Sequence, residues 1–145
     1  MSQQIRVIVS HHQQSELRAW LTMTVTERAD GNIGHDVDIA RAIRATGSGL
    51  ELPASHLQVL RSEIAAGILT AAKQARKHSQ AGWNITLDRI GGEDGDAVTL
   101  SSLPSIGFAV AATLAVLHGT GAEDLEREPH GGHGWNLTEI EATSF

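Results

Sequence analysis

Apolar and polar positions alternate along the first forty residues in short bursts broken by turn chemistry. "IRVIVS" (5–10) is a β-branched run and predicts a strand. "HHQQSE" reads as the turn after it. In "WLTMTVTE" the period is two: Leu21, Met23 and Val25 point one way, and three threonines point the other. That is the signature of a half-buried strand. "RADGNIG" is a loop with two glycines, and "HDVDIA" alternates again, with Val37 and Ile39 on the buried side. The two strands flanking "RADGNIG" read as a hairpin, after which "RAIRATGSG" leads the chain out of the sheet.

The period then changes. In "LPASHLQVLRSEIAAGILTAAKQARKHSQAG" Leu57, Leu60, Ile64 and Ile68 recur at helical spacing. Ser55 and Gln58 have the spacing of a capping box, and Gly82 follows as a stop. Gly67 lowers helix propensity and marks a place of close packing. "WNITLDRI" returns to alternation, with Trp83, Ile85 and Leu87 on one side. "GGEDGD" has turn chemistry, and "AVTL" reads as the second arm of a hairpin. Ser102 as N-cap and Pro104 in the first turn open an Ala-rich helix that ends near Gly119. The last 24 residues show no clear period. The order is three strands, a helix, two strands and a helix. It predicts an α+β fold, an antiparallel-rich sheet of 4–5 strands with two helices on one face. Residues 1–121 form the single domain of this reading, and 122–145 a mobile acidic tail.

Charge sharpens that boundary. The chain of 145 residues carries a net charge of −6, of which the tail holds −5 (six acids, one arginine) and the body −1 (eleven acids, ten bases). A near-neutral body neither demands nor excludes a nucleic-acid partner. There is no cysteine, so disulfides and thiolate metal sites are excluded. No apolar run reaches membrane-spanning length, and the start of the chain has no signal-peptide core. A cytoplasmic location follows as the expectation.

Few residues point to chemistry. Ser105, in the first turn of the last helix, sits where backbone N–H groups are free to hold an oxyanion. A nucleophile also needs a base. The last lysine is Lys77, ahead of it, and His118 lies more than three turns away. The eight histidines show no metal-binding spacing, so no metal and no cofactor is expected. Phosphate-loop and dinucleotide glycine motifs are missing. The loop carboxylates, Asp30, Asp94 and Asp96 among them, fit turns. Lys73, Arg76, Lys77 and His78 crowd the end of the long helix, where cations suit the helix dipole and can also meet phosphates.

Taken in order, "GNIGHDVDIA", "GSGLEL", "LPASHLQVLRSEIAAGILTAAKQA" and "WNITLDRIGGEDGDAVTLSSLPSIGFAVAATLAVLHG" resemble domain IV of translation elongation factor G. The likeness runs from about Trp20 to Gly119. "LPSIGFAVAAT" also resembles the nucleophile segment of Lon-type proteases, which share this superfold with the GHMP kinases. The resemblance implies a non-catalytic module whose tip loops, here Ala29 to His35 and Gly91 to Ser101, reach the small ribosomal subunit. Asp30 departs from the basic first loop of that family, and "GEDGDAV" stands where its second loop has a histidine before an Asp-Val-Asp run. The expected function is a stand-alone binding module for RNA, the ribosome or a protein, and no membrane partner is expected. Its candidate residues are Asp30, Asn32, His35, Asp94, Asp96, Lys73, Arg76, Lys77 and His78. The alternative is a Lon-like serine hydrolase using Ser105.

Overall fold

The computed structural model describes residues 2–14, 16–47, 52–77, 81–94, 97–98, 105–122 and 134–144. Six strands form one sheet: β1 (Ser2–His11), β2 (Leu17–Arg28), β3 (Ile33–Asp36), β4 (Gly82–Asp94), β5 (Ala97–Val98) and β6 (Trp135–Ser144). The order is β3-β4-β2-β1-β6, with the short β5 paired to β4. All pairs are antiparallel except β3 with β4. Three helices complete the α+β fold: α1 (Ile39–Ala45), α2 (Ala54–Arg76) and α3 (Ser105–Gly119).

Alternation in β1 and β2 sorts their side chains as the pattern predicts. Ile5, Val7, Val9, Leu21, Met23 and Val25 are buried. Their neighbours Arg6, Arg18 and Trp20 lie on the other face of the pleat. The helices cover the first face: α3 packs on β1 and β2, α1 packs on β4, and α2 packs against α3. Helix α3 is apolar almost all round and buried from Gly107 to Ala112 and again from Leu114 to Leu117. A helix enclosed by a sheet and another helix has no wet face to keep polar.

Several expectations change. No hairpin joins β2 to β3. Ile33 to Asp36 instead pair parallel with Trp83 to Thr86, and α1 and α2 form the crossover that a parallel pair requires. Val37 and Ile39 are buried as expected, but the strand stops at Asp36. Asp38 then caps α1 by accepting a hydrogen bond from the Arg41 backbone N–H, at 3.1 Å. In α2 the N-cap is Pro53, and Ser55 is already inside the helix. "GGED" is not a turn: β4 runs through it to Asp94, and its Glu93 and Asp94 pair with β5. Ser102 and Pro104 lie outside the described residues. The largest correction is at the C-terminus. Within the segment expected to be a mobile tail, Trp135–Ser144 form an edge strand paired with β1, and Trp135 is 1% exposed. Burial of the indole and the hydrogen-bonded ladder with β1 together offset the entropy of ordering the strand.

Candidate functional site

At one end of the sheet the β2–β3 loop meets the end of α2. Arg28, the last residue of β2, donates from Nε and Nη2 to the Asp30 carboxylate at 3.0 and 2.5 Å. Its Nη1 donates to Asn84 Oδ1 on β4 at 2.9 Å. The Asn32 backbone N–H closes the turn onto Asp30 Oδ1 at 3.0 Å. These bonds, Arg28 foremost, hold the Asp30 carboxyl down at about 2, well below the ordinary carboxylate value. From the helix side Arg76 donates to the Gly31 carbonyl, and Trp83 N–H donates to the Asn32 carbonyl at 2.9 Å.

The structure therefore joins three candidates, Asp30, Asn32 and Arg76, in one small assembly. It also changes what the loop presents, because the Asp30 charge is matched by Arg28. Lys73 and Lys77 are exposed on the last turns of α2 beside Arg76. Residues three and four apart share a helix face, so they form a cationic end next to the loop. His35 is exposed on β3, opposite Ile85.

The other candidates do not join them. Asp94 pairs with Leu17 at the far end of β4, whereas Asn32 lies beside Trp83 at its start. At ~3.3 Å per residue the strand spans roughly 40 Å, so the two loops stand at opposite ends of the sheet. Asp96 and His78 lie outside the described residues. The sequence reading missed Arg28 and Asn84. The signal for Arg28 is local, an arginine two residues before an Asx turn. For Asn84 there is none, because only the β2–β4 register brings it near.

Ser105 begins α3 and lines a shallow depression of about 370 Å³ with Pro53, Ser55, His56 and Val59. His118 stands near the other end of α3, about 20 Å along the helix axis. A wider cleft of about 580 Å³ lies between the β3–α1 turn and α2, lined by Asp36, Asp38, Gln58 and Arg61 among others. Its two carboxylates are engaged locally, Asp36 with the Arg41 guanidinium at 3.0 Å and Asp38 as the α1 cap. Among the described residues no three histidine or carboxylate groups converge as a metal site. No helix among them is long and apolar enough to cross a membrane.

No family model matches this chain. No curated protein matches it either.

Proposed function

We propose that this domain is a non-catalytic binding module that engages RNA through the end of the sheet where the β2–β3 loop is held against α2. The observation that carries this reading is the joint arrangement of Lys73, Arg76 and Lys77 with a loop whose only acidic side chain is matched by Arg28. Such a surface meets a phosphate backbone without a buried penalty, and its affinity falls as salt rises. The collinear likeness to domain IV of elongation factor G supplies the ribosomal setting. The test is sedimentation of the tagged protein from native lysate through a sucrose gradient. Co-migration with small ribosomal subunits, lost after RNase and in Lys73→Glu/Lys77→Glu, is the expected result. Migration at the top of the gradient in every condition removes the ribosomal setting. A partner retained through RNase makes this a protein-binding module instead.

One observation favours hydrolysis at Ser105 as a second reading. His56 lines the same depression and stands as a base that the sequence alone did not offer. Labelling by a serine-reactive phosphonate, abolished in both Ser105→Ala and His56→Ala, is what this reading requires.

A further inference from the structure

The face of the sheet away from the described helices holds one half-buried aromatic ring among arginines. Trp20 lies on β2, between Ile8 of β1 and Gly91 of β4. Its indole lies over Gly91: a Cβ there would collide with Cζ2 and Cε2 of the ring. A glycine opposite a tryptophan on an open sheet face lets the ring lie flat against the backbone. The ring is half-buried, on the side of the sheet away from the described helices.

Three arginines stand around the ring. Arg18 is two positions away on the same strand and face. In the row on the other side, Thr22 is flanked by Arg6 on β1 and Arg89 on β4. Diagonal neighbours in a sheet are about 7–8 Å apart, close to the spacing of successive phosphates along a single strand. All three guanidinium groups are exposed. The threonine row Thr22, Thr24 and Thr26 continues the face with hydroxyls rather than apolar groups. Carboxylates share the face: Glu93 of β4 stands directly opposite Arg18, Glu141 reaches Arg6 at 4.0 Å, and Glu139 faces Ile8 from β6. Within the face, Asp88 is taken up by Thr24 Oγ1 at 2.6 Å and Gln4 Nε2 at 3.3 Å.

We propose that this face binds single-stranded nucleic acid, with one unpaired base stacked on Trp20 and the flanking phosphates on Arg18 and on Arg6 or Arg89. The proposal rests on the RNA-binding reading above and adds the class of ligand and a second surface. A duplex hides its base faces, so a stacking platform selects unpaired bases. On β1 and β2 the apolar part of the face is Ile8 and the ring, too little for the dry centre of a stable protein interface.

The test uses the full chain, a fluorescein-labelled oligouridine of twelve nucleotides and a hairpin RNA of the same length, read by anisotropy. The expected result is binding of the single strand with a slope of log K against log salt of about −1.4, for about two phosphate contacts. Trp20→Ala weakens it roughly 5- to 150-fold, the range of one base–aromatic stack, while Trp20→Phe retains most of it. Gly91→Ala keeps the tryptophan and lifts the ring, and weakens binding as well. Glu139→Gln/Glu141→Gln strengthens it. Circular dichroism melts confirm that each variant is folded. Trp83 and Trp135 are buried, at 4% and 1% exposure, so quenching of intrinsic fluorescence on binding reports Trp20. Two results overturn the proposal. One is single-strand binding indifferent to Trp20→Ala and to Arg18→Ala/Arg89→Ala. The other is a hairpin that binds, sensitive to Lys73→Glu/Lys77→Glu, beside a single strand that does not, which leaves the RNA module standing. Binding of neither probe removes both readings.

Discussion

The guanidinium of Arg28 bridges two neighbouring strands, holding Asp30 of its own loop and Asn84 of β4 with separate nitrogens. Because Asp30 has a folded pKa of about 2 against an ordinary 3.8, its charged form stabilises the loop above about pH 4. That contribution is lost as pH falls from about 4 toward 2. A carboxyl carbon titration by NMR is expected to find the Asp30 midpoint near 2. In Arg28→Ala the midpoint rises toward the ordinary value, because the strongest of the hydrogen bonds that lower it is removed. A midpoint that stays low in the variant would assign the effect to the Asn32 backbone N–H instead. Ser105 makes the complementary point at this scale. Its helix-start position is visible in "LPSIG", but His56 belongs to another helix start, and no spacing in the chain announces that the two line one depression.

Strands β1, β2 and β4 and helix α2 were legible because each buries one face along most of its length, and burial is what periodicity records; α3 was legible from its long Ala-rich apolar run. The elements that were missed bury less or break the period. Helix α1 has seven residues, and the two apolar positions leading into it, Val37 and Ile39, fit a strand as well as a helix start. In β6 the register slips between Ile8 and Val9 of its partner, leaving Thr138 unpaired. Trp135 and Ile140 therefore face the core with opposite sequence parity, and the alternation that would have marked the strand is erased. The bulge at Asp88 in β4 did less harm, since Trp83, Ile85 and Leu87 precede it. The candidate site was legible in its charged residues and not in its assembly, which depends on the parallel β3–β4 pair. Close packing at Gly67 was legible and is now specific. A Cβ there would stand 2.7 Å from the Ala109 carbonyl and 3.0 Å from Thr113 Oγ1 on α3. In Gly67→Ala the gain in helix propensity is about 1 kcal/mol, and overpacking costs about 1–3 kcal/mol. Urea unfolding is expected to show a lower midpoint with an unchanged slope. A higher midpoint would mean that α2 and α3 separate freely.

Across the whole molecule, the C-terminal strand decides where the domain ends. The Gly134 carbonyl accepts from both His12 N–H and His12 Nδ1, at 2.8 and 2.9 Å. Trp135 follows, its ring edge-on to His11 at 5.4 Å and against Gly107 of α3. From there β6 covers β1 along Gln3 to His11. A chain ending at Ala122 would lose that indole, and core Trp→Ala changes alone cost about 3–5 kcal/mol, against a typical total of about 5–15 kcal/mol for a domain. It would also turn β1, with its "IRVIV" run, into an open edge able to pair with other copies. The truncated chain is therefore expected to melt at a much lower temperature, or without a cooperative transition, and to sediment as oligomers. Trp135→Ala, which keeps the β6 backbone, falls between it and the full chain in melting temperature and stays unaggregated. If the truncated chain melts like the full one, β6 is an appendage and the core closes at α3. If Trp135→Ala melts as low as the truncation, the indole rather than the strand pairing holds this edge of the domain.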